Sequence, residues 1–80
     1  MRIGEAVRLR IIELCALNNI TVNKLANTCG VTQSTLNNII SGRNQSTTVS
    51  TIQKICDGLN ITIDEFFHTE QFREIEQEIQ

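Results

Sequence analysis

The 80-residue sequence contains no proline, tryptophan or tyrosine, and only three phenylalanines. No apolar run approaches the ~18 residues that a membrane-spanning helix requires, and no signal-peptide pattern opens the chain. These absences predict a cytoplasmic protein with no membrane contact. Hydrophobic residues make up 40% of the chain, mostly as Ile, Leu and Val. Such a composition favours one small, all-α domain near the lower size limit for an independent core.

Residues that could support catalysis or hold a cofactor are sparse. The single histidine, His68, lies beside acidic residues, and the four glycines are scattered rather than grouped in a phosphate-binding loop. The cysteines are odd in number and lack C-x-x-C spacing, so we expect buried free thiols at Cys15, Cys29 and Cys56. A zinc site made from them and His68 is the disfavoured alternative. The sequence thus predicts no enzyme, no metal, no cofactor and no small-molecule effector.

Charge is divided unevenly along the chain, whose formal net charge is −2. Residues 1–63 carry six Lys/Arg against three Asp/Glu, a balance of +3. Residues 64–80 carry six Asp/Glu against one Arg, a balance of −5. A mildly basic body with an acidic end predicts weak, salt-dependent affinity for polyanions such as DNA.

Apolar residues recur at three- and four-residue intervals, which predicts helices along most of the chain. Four are expected at about residues 3–17, 22–29, 33–41 and 49–59, with Thr21, Thr32 and Thr48 capping the last three. A fifth begins after Thr62, where Thr62 and Glu65 form a capping box. The sequence therefore predicts a helical bundle.

The second and third predicted helices form one unit. Leu25 and Cys29 share a face of the second helix, and Leu36 and Ile39 share a face of the third. Between them, Gly30 suits the positive φ that ends a helix and redirects the chain. This is the pattern of a helix-turn-helix, whose second helix enters the DNA major groove.

Several features in register extend this pattern over about residues 3–67: the pair Leu25-Ala26, Gly30-Val31, TQST from Thr32, Ser41-Gly42, and a closing LNITIDEFF. Together they resemble the Cro/repressor-type, lambda-repressor-like helix-turn-helix family of phage and bacterial regulators. The resemblance implies a five-helix DNA-binding domain at residues 1–68. The composition changes after His68, where residues 69–80 form an acidic C-terminal extension. The resemblance also implies a transcriptional regulator, more specifically a repressor, that binds double-stranded DNA.

The third helix carries the expected base-reading surface. Its polar face lies opposite Leu36 and Ile39, and no charged residue occurs between Val31 and Gly42. Small amides and hydroxyls suit base edges, although they would also suit an ordinary solvated face. The family's base-reading positions fall on Gln33, Ser34, Asn37 and Asn38. Ile40 is expected to pack at the boundary of the core.

Phosphate contacts are expected at the starts of the second and third helices and in the loop after the third. The predicted residues are Thr21, Asn23, Thr32, Thr35, Ser41, Arg43, Asn44 and Gln45. Arg43 is the foremost of these because it is the loop's one cation. The sequence departs from the family at Val22 and Cys15, where many members have Gln and Arg.

The acidic extension contains Phe72, Ile75 and Ile79 at spacing i, i+3 and i+7, which predicts a narrow apolar stripe on a charged helix. With Phe67, these residues are candidates for dimerisation or for docking onto the bundle, and a frayed tail is the alternative. A homodimer would place two half-sites one helical turn apart on a palindromic operator. The competing function is a protein-interaction module, such as an antitoxin, that uses the acidic end to bind a partner.

Overall fold

A computed structural model of the chain describes residues 1–79, and this part contains six helices and no strand. The helices are α1 (Ile3–Leu17), α2 (Val22–Cys29), α3 (Gln33–Ile40), α4 (Val49–Leu59), α5 (Ile63–Phe67) and α6 (Glu70–Arg73). The all-α prediction and its five principal helices are confirmed. Helix α3 ends one residue earlier than predicted, because Ser41 forms its C-cap.

Threonine side chains begin four of these helices, as predicted. The hydroxyl oxygens of Thr21, Thr32 and Thr48 each accept a hydrogen bond of 3.1 Å from the backbone N–H three residues later. At α5, Thr62 and Glu65 exchange two bonds of 3.0 Å and complete the capping box. Each cap satisfies amide donors that the helix itself leaves unpaired.

The core lies where α1, α2, α3 and α4 meet, with Phe66 of α5 fully buried beside them. Apolar residues on one side of α1 and of α4 face this core, and they are Val7, Ile11, Leu14 and Cys15 on α1 and Ile52, Ile55 and Cys56 on α4. Within residues 1–79 no helix is both long and apolar enough to cross a membrane.

The cysteines lie inside the bundle or at its edge. Cys15 and Cys56 are buried, Cys29 is half-buried, and all three are free thiols. Burial raises the pKa of each thiol because the charged thiolate is disfavoured away from water. They therefore pack as small apolar side chains, with low thiolate reactivity.

Arg10 holds an unexpected position in the core. Only 9% of the residue is exposed, and its guanidinium donates to the carbonyl oxygens of Phe66 at 2.7 Å and Glu65 at 2.8 Å. A third bond of 2.6 Å reaches Oε1 of Glu13. Arg10 thus joins α1 to the last carbonyls of α5, whereas the sequence shows it only as one more cation of the basic body.

The prediction of one continuous helix beyond His68 is wrong. Helix α6 ends at Arg73, and residues 74–79 are not helical. A longer helix would align Glu70, Glu74 and Glu78 at i, i+4 spacing, where like charges destabilise it. The stripe predicted from residues 72, 75 and 79 therefore does not form, and residue 80 lies outside the described part.

The C-terminal segment instead docks on its own chain. Phe72 packs against Phe67, with ring centroids 4.9 Å apart, and against Phe66 at 6.2 Å. Residues 74–79 then pass the beginning of the chain, where the Glu76 N–H donates to the Met1 carbonyl at 2.9 Å. Aromatic contacts and the chain's first residues thus hold the acidic segment against the bundle.

Candidate nucleic-acid interface

Helices α2 and α3 form the predicted helix-turn-helix. Gly30 adopts φ 70° and ends α2 in the left-handed conformation that favours glycine. Leu25 and Ala26 of α2 and Leu36 and Ile39 of α3 are all buried. Because Leu36 and Ile39 both face the core, the orientation of α3 relative to the bundle is set by packing.

The face of α3 opposite Leu36 and Ile39 is polar and open. Gln33, Ser34 and Asn37 are exposed, while Asn38 is half-buried. Ile40 is also half-buried and packs against the core, which confirms its boundary position. The structure thus brings the four predicted base-reading residues together on one uncharged helix and leaves three of them exposed.

Asn38 also supports the loop that follows α3. Its backbone carbonyl accepts hydrogen bonds from the Asn44 N–H at 3.0 Å and from the Ser41 hydroxyl at 3.3 Å. These bonds fold residues 41–44 back over the end of the helix. The position of the loop therefore follows the position of α3.

The predicted phosphate contacts at helix starts lie at the N-termini of α2 and α3. Thr21, Asn23 and Thr32 are exposed, and Thr35 is half-buried. The Thr32 and Thr35 hydroxyls lie 2.8 Å apart and share a hydrogen bond. Each helix start adds a partial positive charge and free amide donors, which favour an anion.

The loop after α3 contains the other predicted phosphate contacts. Arg43 is exposed and makes no ion pair within residues 1–79. The Asn44 side-chain oxygen accepts from the Ser46 N–H at 2.9 Å, and the Gln45 amide donates to the Gly42 carbonyl at 2.8 Å. Arg43 thus lies in a loop whose backbone is hydrogen-bonded by the side chains of Asn44 and Gln45.

The predicted base-reading helix is thus uncharged and polar, and it is flanked by helix N-termini and by a loop bearing a cation. Residues 10–71 match the family model of the Cro/C1-type helix-turn-helix DNA-binding domain. The chain belongs to this family. Its members' domain is a DNA-binding regulator module, and nothing in the match indicates a catalytic activity.

A solved structure agrees with the family. The chain is similar to the prophage Lp1 protein 11, with 36% identical residues and a TM-score of 0.81. The match covers 94% of this chain and 100% of that one. No curated protein matches the chain.

In this Cro/C1-type domain Arg8 of α1 is bonded to the end of α3. The Arg8 Nε donates to the carbonyl of Ile40, the last residue of α3, at 2.7 Å. This bond satisfies a carbonyl that the helix end leaves unpaired and places a cation at its negative pole. Sequence reasoning missed Arg8, because its partner lies 32 residues away and nothing in the local pattern reveals the contact.

Proposed function

We propose that this Cro/C1-type protein represses transcription by binding a palindromic operator as a homodimer, with α3 in the major groove. The observation that carries the proposal is the exposed, uncharged face formed by Gln33, Ser34 and Asn37 on a helix held by the core. Asn and Gln side chains can bond adenine with two hydrogen bonds, and Ser can donate or accept. Asn38 is the fourth proposed base-reading residue.

The proposed phosphate contacts surround this face. The starts of α2 and α3 supply Thr21, Asn23, Thr32 and Thr35, and the loop supplies Ser41, Arg43, Asn44 and Gln45. Few of these residues are cations, so most of the contacts would be neutral hydrogen bonds. Specific recognition by α3 then has to provide much of the affinity, because counterion release contributes little.

The first prediction tests base reading. Wild-type protein selected against a random duplex library at two salt concentrations should enrich a palindrome with half-sites about 34 Å apart. Asn37→Ala should weaken binding to that site by about tenfold and relax the preference at one base pair of each half-site. Fluorescence anisotropy with the selected duplex measures both effects.

Gln53→Ala is the matched control, because Gln53 is an exposed amide on α4 that bonds only Asp57 within residues 1–79. It should bind the selected duplex as the wild type does. Weak binding that disappears at moderate salt, equal for all three proteins and without an enriched site, would show that α3 does not read bases.

The proposed dimer uses a groove of about 740 Å³. The groove lies between the start of α1, the loop after Gly42 and the start of α4, and its apolar lining comes from Ile3, Val7, Val49, Ile52 and Phe67. Val49 is 76% exposed and lines this groove, so its side chain offers apolar surface to a second copy of the chain. Phe67 is thus the predicted dimerisation residue that the groove supports best, with Phe72 packed against it.

Ile75 and Ile79 stay predictions for the same interface. Ile75 is half-buried and Ile79 is 88% exposed. Because residues 74–79 are not helical, these two side chains would join the interface from an extended segment rather than from a paired helix.

The second prediction tests this interface. Val49→Asp should weaken self-association at least about tenfold, because it places a charge in a surface that must lose water. The fold should persist, since an acidic residue in the first turn of α4 is favourable. Leu17→Asp is the control, because Leu17 is 72% exposed and does not line the groove. Sedimentation velocity that finds both variants as dimeric as the wild type would refute the groove as the interface.

The protein-interaction alternative depends on an acidic helix free to meet a partner. In this structure that helix contains only four residues, and the segment after it is bound to the chain's first residues. The geometry therefore favours the DNA-binding function over a partner-binding one.

A further inference from the structure

A second, smaller cleft of about 300 Å³ separates the start of α1 from the loop after α3. Its lining is polar and consists of Arg2, Glu5, Arg8, Ser41, Gly42 and Gln45. Two of these residues, Ser41 and Gln45, are among the proposed phosphate contacts. The structure thus adds two arginines to the edge of the proposed DNA interface that the sequence pattern did not assign to it.

Arg8 has donors to spare in this cleft. Its Nε is used by the Ile40 carbonyl, but within residues 1–79 neither terminal guanidinium nitrogen makes a hydrogen bond or ion pair. A guanidinium anchored at Nε keeps its other N–H groups in a fixed plane. Such a fork matches two oxygens of a phosphate.

Arg2 already holds an anion. Its Nη2 lies 2.7 Å from Oε2 of Glu78, and both side chains are exposed. Two residues before Glu78, the Glu76 N–H donates to the Met1 carbonyl, and the Glu76 carboxylate lies 3.5 Å from the N-terminal ammonium. These contacts hold the segment that carries Glu78. A carboxylate of the acidic tail is therefore ion-paired with one of the cleft's two arginines.

We propose that this cleft binds a backbone phosphate of DNA through Arg2 and Arg8, and that Glu78 occupies Arg2 in the free protein and leaves when DNA binds. The proposal rests on the proposed DNA-binding function. A carboxylate and a phosphodiester each carry one negative charge and present two oxygens to a guanidinium, so they compete for the same donors. With Glu78 in place two carboxylates, Glu5 and Glu78, oppose the two arginines, and its departure leaves an excess positive charge.

The test compares affinities for the selected operator at low salt. Because an exposed ion pair is weak, Glu78→Gln should tighten binding only about threefold. Arg2→Gln should weaken it about threefold or more and reduce the slope of log K against log salt by about one contact. The double variant Arg2→Gln/Glu78→Gln should bind like Arg2→Gln alone, because within residues 1–79 the Glu78 side chain bonds only Arg2. Both residues also line the groove proposed for dimerisation, so sedimentation velocity must find each variant as dimeric as the wild type.

Glu74→Gln is the matched control. It removes the same charge from the same exposed segment, but Glu74 makes no ion pair within residues 1–79. The proposal is overturned if Glu74→Gln tightens binding as much as Glu78→Gln does, or if the effect of Glu78→Gln persists without Arg2. Either result would mean that the tail acts through its general charge.

Arg8→Gln provides an independent check, with a thermal melt to confirm that the variant is folded. It should also lower the salt slope by about one contact, and an unchanged slope would remove Arg8 from the site. Phosphate contacts do not depend on sequence, so the same variants are compared on a duplex unrelated to the operator. If the wild type selects no operator, the proposed function fails. If it selects one and these variants bind alike, only the cleft proposal fails.

Discussion

Arg10→Met is expected to lower the free energy of unfolding by about 3 kcal/mol. Methionine fills a similar volume but donates no hydrogen bond, so the carbonyls of Phe66 and Glu65 lose the partners that they have at 2.7 and 2.8 Å. The buried Phe66 carbonyl, left without a donor, retains the full penalty of leaving water, whereas the part-buried Glu65 carbonyl still accepts from the His68 N–H at 3.4 Å. Glu13 loses its partner too, but its exposed carboxylate can bond water.

Urea denaturation followed by circular dichroism measures this loss. Arg73→Met is the control, because Arg73 forms the same i, i+3 type of ion pair with Glu70 on an exposed surface. That variant should change stability by less than about 0.5 kcal/mol. An Arg10→Met protein as stable as the wild type would show that the burial penalty of the guanidinium cancels its three bonds.

Gly58→Ala is expected to destabilise the protein by about 2 kcal/mol, although alanine is normally favoured over glycine within a helix. A Cβ at Gly58 of α4 would lie 2.7 Å from the Cys29 Cβ and 2.9 Å from its Cα. Neither atom can rotate away, because both are fixed by the backbone of α2. The substitution must therefore separate α2 from α4 and disturb the helix-turn-helix.

A double-mutant cycle with Cys29→Gly identifies the cause. Without the Cys29 Cβ, the penalty of Gly58→Ala should fall, although the contact with the Cα remains. Equal penalties in both backgrounds would trace the loss to something other than this contact. A stabilised Gly58→Ala protein would mean that the two helices separate freely.

Arg10 and Gly58 both matter to function because only a few contacts hold α3 in place. The helix has eight residues, and its place depends on Leu36 and Ile39 in the core and on Arg8 at its last carbonyl. A loss of packing between α1, α2 and α4 would therefore move the proposed base-reading residues. Both variants should therefore bind DNA more weakly than the wild type, and the less stable of the two should bind more weakly than the other.

The sequence by itself determined the helices, their threonine caps and the exposed face of α3. These features depend on residues three or four positions apart, such as Thr62 with Glu65 or Leu36 with Ile39, so the printed order of residues records them directly. The family pattern adds the order of the elements. Base-reading and phosphate-binding roles follow from that pattern and stay predictions.

Only the tertiary structure decided the roles of the arginines and of the acidic end. Arg8 meets a carbonyl 32 residues away, Arg10 meets carbonyls 55 and 56 residues away, and Arg2 meets a carboxylate 76 residues away. The spacing of neighbouring residues in the sequence does not reveal partners that are this far apart. The tail's apolar residues did show a helical period, but repulsion between glutamates and the docking of Phe72 on the other phenylalanines favour a short helix and a returning segment. Such features depend on packing and charge across the whole chain, because the residues that come into contact are far apart in the sequence.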